Sequence, residues 1–372
     1  MHKTQWQAAE TFLKHKKRER KKAMSEKMIK GVVYTAPGTV EVREVPMPVT
    51  GPDEVLVKIE YCALCASDVH VVNHALFGLQ PPMLMGHEAS GIIVELGENL
   101  KNNKRFRVGD HVCAIPSPYC GECDHCKRGD IMHCEEAGFE PEKKPMDSMV
   151  EYRTYPTSQL IKLPDNIPFE YGALVEPIST ASRGIELANM QFGSTVCVSG
   201  AGSIGLIMLN LIKYRGGTRI TVIEPSAERR EMALQLGAQH VLDPTTDDVV
   251  AEAMKITDGM GFDFVFEMSG ARSAAPLCPK MIATRGTIIY FAVYPEDYEL
   301  PLNLFEMFQK EARLQFVFTN PFLFPRSVDL LSCLDMDKLV GPVYELDDAP
   351  QAFGDFAKAK YPKLLIRCNT GK

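Results

Sequence analysis

Three cysteines set two residues apart, in Cys120-Gly-Glu-Cys123-Asp-His-Cys126, and a fourth at Cys134 form the most chemically specific pattern in this chain. Cys-x2-Cys turns let neighbouring thiolates converge on one ion, and four sulfurs at about 2.3 Å close a tetrahedral zinc site with no open position. Such a site staples a loop and catalyses nothing. Four free thiols on a surface loop would instead carry an oxidation risk. A second set of donors is more widely spread, over Cys62-Ala-Leu-Cys65-Ala-Ser67-Asp68-Val-His70, then Gly86-His87-Glu88, then Glu176-Pro177. Taken singly these are weak signals, since an isolated histidine is more often structural and Cys65 could serve as a small buried hydrophobe.

A third group reads as phosphate chemistry. Gly200-Ala-Gly202-Ser203-Ile204-Gly205 follows the apolar strand Val196-Cys-Val-Ser199 and opens the apolar helix Leu206–Ile212. The first glycine permits a tight turn, the second lets backbone approach a pyrophosphate, and the third lets helix pack on strand. The phosphates then meet the unpaired N–H groups of a helix amino terminus. Glu224, at the end of the next strand, can accept hydrogen bonds from a ribose 2′-hydroxyl and would repel a 2′-phosphate, which points to NAD over NADP. Arg229 and Arg230 keep NADP open, and Arg229 is counted among the cofactor-binding candidates.

Around these groups the texture of the chain changes once. From Gly31 to about Leu163, short β-rich runs such as Glu54–Glu60, Gly91–Leu96 and His111–Ile115 are separated by Pro and Gly, which predicts a folded-over antiparallel sheet. From about Thr195, apolar strands alternate with helical stretches, which predicts a parallel sheet wrapped by helices. The strands expected there are Thr195–Ser199, Arg219–Glu224, His240–Leu242, Phe262–Met268, Thr287–Val293 and Leu314–Phe318. The apolar run Lys363-Leu-Leu-Ile-Arg367 is expected to return to the first region as a strand and make that domain discontinuous.

At 372 residues and 45% hydrophobic, the chain is long enough for two domains with a large core. No apolar run approaches the roughly 20 residues of a membrane helix, and the amino end lacks the apolar stretch of a secretory signal. With thiolate-rich metal spacing, this predicts a cytoplasmic protein without disulfides. Residues 1–28 hold nine Lys/Arg against three Asp/Glu, leaving 32 basic and 45 acidic residues elsewhere. Residues 1–27 are expected to form a disordered basic extension; a nucleic-acid contact arm, or a start at Met24 or Met28 instead, are the other readings of it.

Together these motifs resemble the zinc-dependent medium-chain dehydrogenase family, in particular its sorbitol, polyol and threonine dehydrogenase branch. The resemblance runs from Met28 to the carboxyl end. It implies a GroES-like, mainly antiparallel catalytic domain (28–180 and 320–372) and a doubly wound Rossmann domain (181–319). It makes Cys65 and His87 ligands of a catalytic zinc, with Glu88 and Glu176 completing or exchanging in its shell, and Cys120, Cys123, Cys126 and Cys134 ligands of a structural zinc. Ser67 and His70 match the family's proton relay, through the nicotinamide ribose, and Glu176 counts with them as catalytic. The implied reaction moves a hydride from a small-molecule secondary alcohol, a polyol or sugar derivative, to NAD; a threonine-type amino-alcohol or primary-alcohol enzyme is the alternative. A homodimer or homotetramer joined along the Rossmann sheet edge is also implied, with no nucleic-acid or membrane partner. One thiolate and one carboxylate would neutralise Zn²⁺, so only one of Glu88 and Glu176 is expected to bind it directly.

The chain departs from the family in four places. Val71 and Val72 stand where aromatic residues are usual, which suggests a wider pocket; Thr319-Asn320 replaces an Arg-Tyr pair that binds substrate hydroxyls; Glu140–Ser148 replaces a short Gly-rich link; and Arg183 could hold an acidic substrate group or pair with a carboxylate.

Overall fold

A computed structural model describes residues 27–116, 118–136, 146–319, 322–356, 358 and 361–369. The basic extension apart from Lys27, most of the divergent link after Cys134, and Asn320 lie outside the described residues.

The first region is built on antiparallel pairings. Strands β1 (Met28–Ala36), β2 (Thr39–Pro46) and β4 (Met83–Leu84) make a small sheet, in the order β2-β1-β4. A larger one contains β3 (Glu54–Ala63), β5 (Glu88–Leu96), β6 (His111–Ala114), β7 (Tyr152–Pro156) and β8 (Leu160–Lys162), completed by β15 (Val343–Glu345) and β16 (Leu365–Arg367) from the end of the chain. Strand β3 is its axis, because residues on both of its faces are apolar. Val55, Val57 and Ile59 enter the main core, while Leu56 meets Ile29, Met47 and Val150 on the other side. At roughly 1.5–3 kcal/mol for each large apolar side chain buried, this two-sided burial fixes the register strongly.

The second region is a six-stranded parallel sheet in the order β11-β10-β9-β12-β13-β14. Its strands are β9 (Thr195–Ser199), β10 (Thr218–Ile223), β11 (His240–Leu242), β12 (Phe262–Glu267), β13 (Ile282–Tyr290) and β14 (Arg313–Phe316). The strand order reverses between β9 and β12, which is where a doubly wound sheet opens a crevice at its carboxyl edge. In this sheet two strands differ from expectation by more than one residue. Strand β13 begins at Ile282 rather than Thr287, because its register against β12 slips between Phe262 and Phe264, and Arg285 bulges out with φ 62°. Strand β14 stops at Phe316, and the chain then turns through Thr319 at φ 58°. One hydrophobic core runs through both regions, from Tyr61 and Ala63 through Ile178 and Ile185 to Val196, Val198 and Met208.

The glycine turn shows why its residue types are needed. A Cβ on Gly205 would sit 2.1 Å from the Gly200 carbonyl oxygen, a contact with backbone that no rotamer change relieves. Gly205→Ala is therefore expected to lose at least about 2 kcal/mol of stability and to weaken dinucleotide binding, measured by denaturant unfolding and by NADH fluorescence titration. Unchanged unfolding and binding would contradict this close approach.

Candidate active site

Sheet register assembles the site. At the end of β3, Ala63 pairs with Glu88 of β5 on one side and with Leu365 of β16 on the other. Cys65 follows that point by two residues, His87 precedes Glu88, and Lys363 precedes Leu365 by two. Three distant stretches of chain therefore deliver their side chains to one spot. The Cys65 sulfur, a His87 ring nitrogen and a Glu88 carboxylate oxygen lie within 4.8 Å of one another.

Helix α1 (Ala66–His74) fixes the first of these. Cys65 is its N-cap residue, and Asp68 at the third helical position accepts a 2.9 Å hydrogen bond from the Cys65 N–H through Oδ2. The other oxygen of the same carboxylate lies 3.3 Å from His87 Nδ1, which turns Nε2 toward Ser67 Oγ at 3.5 Å. Asp68 is completely buried. A carboxylate behind a histidine sets its tautomer and raises its basicity as a metal ligand. Burial alone would discourage charge on His87, but Asp68 and the Cys65 thiol more than offset this and hold its pKa well above the usual imidazole value. The surroundings thus favour positive charge at that nitrogen. A thiolate, a backed imidazole and a carboxylate are a zinc donor set, and these residues fit the ion.

Glu88 brings a partner that sequence reading missed. Lys363, only 3% exposed, lies 2.7 Å from the Glu88 carboxylate. Burial opposes its charge, yet Glu88, Cys65 and Glu176 together push its pKa up to about 12. Glu176 stands in the first turn of helix α2 (Val175–Ala188), and its Oε1 accepts from Thr180 Oγ1 at 3.3 Å. It is not one of the three clustered donors, and its influence on the site is seen through Lys363. A third carboxylate near a thiolate would make the site too negative; the buried ammonium supplies the compensating charge. In the sequence Lys363 merely opens an apolar strand, which is a weak signal.

Ser67 and His70 lie three residues apart on α1 and share a helix face. His70 is half-buried, and burial followed by the neighbouring His74, 5.9 Å away ring to ring, lowers its pKa. Val71 and Val72 do not widen the pocket as their size suggested: both are buried in the core of the first region with Leu64 and Leu79, because they occupy the apolar face of α1. Arg183 lies 4.0 Å from Glu186, which also pairs with Arg326 at 2.6 Å. Thr319 bonds its own neighbour, the Phe318 carbonyl, while the Phe318 ring lies 5.4 Å from His133 beside the cysteine lobe.

In that lobe the four sulfurs of Cys120, Cys123, Cys126 and Cys134 gather within 4.8 Å. Backbone N–H groups point at them, from Glu122 and Cys123 to the Cys120 sulfur and from Cys120 and Glu136 to that of Cys134, all at 3.3 Å. Burial resists ionisation of Cys134, but those two donors bring its pKa down to about 6. Burial and the neighbouring thiols push Cys126 the other way, up to about 12, and the four convergent sulfurs with their backbone donors fit a closed tetrahedral zinc.

At the glycine turn, Gly200 adopts φ 103° and packs against Ser269, while a Cβ on Gly202 would meet nothing closer than an Arg229 nitrogen at 4.0 Å. Helix α3 (Ser203–Tyr214) begins there, leaving the first-turn N–H groups of Ser203, Ile204 and Gly205 available to an anion. The Glu224 carboxylate is pinned beside the turn by the N–H groups of Ala201 at 2.8 Å and Ser226 at 3.0 Å. Arg229 Nε is buried without a partner, and burial lowers its pKa against the opposing pull of Glu224. An orphaned guanidinium nitrogen above an open glycine turn is a ready place for a negatively charged ligand, so the turn fits a dinucleotide.

Comparison with known proteins shows the family. Residues 51–165 match the alcohol dehydrogenase GroES-like domain and residues 203–332 match the zinc-binding dehydrogenase domain. L-threonine 3-dehydrogenase of Pyrococcus horikoshii is 35% identical over 75% of this chain and 80% of its own length. The chain belongs to the zinc-containing medium-chain alcohol dehydrogenase family. Scyllo-inosose 3-dehydrogenase of Thermotoga maritima is 32% identical over 84% of this chain and 85% of its own. A crystal structure of a provisionally assigned zinc-binding dehydrogenase from Sinorhizobium meliloti 1021, bound to NADP, superposes with a TM-score of 0.85 at 29% identity, covering 92% of this chain and all of that one. As a family member, this dehydrogenase is a zinc-dependent enzyme acting on CH–OH groups with NAD(P).

Asp68→Asn would present an amide to the Cys65 N–H and remove the charge behind His87. The expected result is a roughly 10- to 100-fold loss of zinc affinity at the open site. Competition with a graded chelator series, followed by metal analysis, measures it, and unchanged affinity would contradict the role assigned to Asp68.

Proposed function

We propose that this dehydrogenase oxidises a secondary alcohol, carried on a polyol or sugar-derived substrate, to the ketone, with NAD as acceptor. The observation that carries the reading is the convergence of Cys65, His87 and Glu88, backed by Asp68 and Lys363, in a chain with a dinucleotide turn. Cys65 and His87 with one carboxylate would hold the catalytic zinc, Glu88 and Glu176 exchanging with the help of Lys363, and the four lobe cysteines would hold the structural one. When bound, zinc supplies Lewis acidity that lowers the pKa of a substrate hydroxyl, and NAD supplies the hydride acceptor. Ser67, beside His87, accepts the hydroxyl proton as it gives up its own toward His70, which lies on the same helix face and delivers a proton to solvent. A lowered His70 pKa keeps that imidazole neutral and able to accept.

The NAD preference rests on Glu224, whose charge beside the turn opposes a 2′-phosphate. Arg229, with its unpaired nitrogen, and the NADP of the S. meliloti relative support the second cofactor reading. Likeness to a threonine dehydrogenase likewise supports a β-hydroxy amino acid as the alternative substrate. We assign residues 28–180 and 320–372 to the catalytic domain and 181–319 to the cofactor domain. Exposed Leu304, Phe305 and Phe308, and exposed Phe316 on the edge strand, support a homodimer or homotetramer. Thiolate ligands suit a reducing, cytoplasmic setting; none of the helices among the described residues is long and apolar enough to cross a membrane.

Nicotinamide absorbance assays with polyols, inositols, amino alcohols and sugar acids, each with NAD and NADP, test the reading. Ketone formation from a polyol or cyclitol, with higher kcat/KM for NAD and loss of turnover on chelation, is expected. Turnover that survives removal of all zinc would refute it, and preference for threonine would establish the alternative.

A further inference from the structure

Glu267 is completely buried at the carboxyl end of β12, a position that an apolar strand would ordinarily fill with Val or Ile. Its carboxylate is fully engaged, and every donor comes from a loop rather than from the core. Oε1 accepts from the Ser269 N–H at 3.0 Å and from the Ser269 hydroxyl; Oε2 accepts from the Gly270 N–H at 3.2 Å and from the Tyr294 hydroxyl. One carboxylate therefore joins the loop after β12 to the loop after β13. Burial and the Glu267 bond both raise the Tyr294 pKa, which keeps the phenol protonated and donating. Tyr294 stacks on Tyr298 at 5.2 Å, Tyr298 donates to the Arg272 carbonyl at 3.1 Å, and Arg272 pairs with Asp297 at 2.6 Å, so the two loops are fastened again further out.

Each loop abuts a different part of the catalytic apparatus. The first lies against the phosphate turn, where a Cβ on Gly200 would meet Ser269 at 2.9 Å. The second lies against helix α2, where a Cβ on Gly184 would meet the Phe291 ring at 3.2 Å, and α2 is the helix that begins with Glu176. In a doubly wound sheet the strands beyond the switch point serve the second half of a dinucleotide, so the ends of β12 and β13 face the nicotinamide half. Burying a carboxylate here is costly unless it is fully paired.

We propose that Glu267 and Tyr294 are a positioning pair that sets the nicotinamide-side wall of the cleft in register with the phosphate turn and the zinc-side helix. The inference rests on reading residues 200–205 as the dinucleotide turn. The pair touches neither substrate nor zinc; it acts through the two loops.

Zinc-loaded Tyr294→Phe, which keeps the ring that stacks on Tyr298, is compared with the native enzyme for NADH binding by fluorescence and ADP-ribose binding by calorimetry. The loss of one hydrogen bond to a buried charge is expected to raise the NADH Kd about ten-fold while leaving the ADP-ribose Kd within about two-fold. Glu267→Gln, which turns an amide N–H toward existing donors, should show the same split more strongly. An unchanged NADH Kd in both variants, or equal losses for NADH and ADP-ribose, would overturn the pairing. Failure of the native enzyme to bind either ligand would overturn the dinucleotide reading, and the pairing with it.

Discussion

The bridge that Asp68 makes, from the Cys65 N–H to His87 Nδ1, is the constraint on which the site depends. It ties the first turn of a helix to the residue before a strand and aims both candidate ligands at one point. The bridge forms because the end of β3 is paired on both sides, with Ala63 opposite Glu88 and Leu365, after the two register shifts that β3 makes against β5. A slip of one residue would turn every β3 side chain to the wrong face and separate the thiol from the imidazole. The apolar residues of β3 therefore serve the chemistry as directly as the ligands do.

Charge balance is the second requirement. A thiol, Glu88, Glu176 and Asp68 gathered around one cleft would repel one another in a poorly solvated site. Lys363 answers part of this with a buried ammonium, and a dication would answer most of the rest. The same arrangement is repeated in a milder form at the cofactor end, where Glu224 and Glu267 are each held by backbone N–H groups of the loops they organise. Carboxylates thus organise both candidate sites, one group around the clustered metal donors and one around the glycine turn and the loops packed on it.

Much of this was legible in the chain. The lobe cysteines, the glycine turn and the candidate donors Cys65, His87 and Glu88 are marked by residue types that few other arrangements use, at spacings set by turns. Lys363 and Glu267 were not visible as site residues, because a lysine opening an apolar run and a glutamate closing one look like ordinary strand ends, and only long-range pairing reveals their partners. The contact between Asp68 and His87, nineteen positions apart in sequence, is set by the folded register and leaves no local signal. Strand β13 was read short because Thr284-Arg285-Gly286 interrupts its apolar pattern with a bulge, and Val71 and Val72 were misplaced because size alone does not say which face of α1 they occupy.

One open metal centre, built on Cys65 and His87, is expected to accompany a closed centre of four thiolates. Zinc K-edge absorption spectroscopy with metal analysis tests it on the native protein and on Cys65→Ala. The expected result is about two zinc ions per native chain with a mean of about 2.5 sulfurs each, falling to about one ion with about four sulfurs in the variant. Retention of both ions in Cys65→Ala, or loss of sulfur-only coordination with the open centre intact, would contradict it.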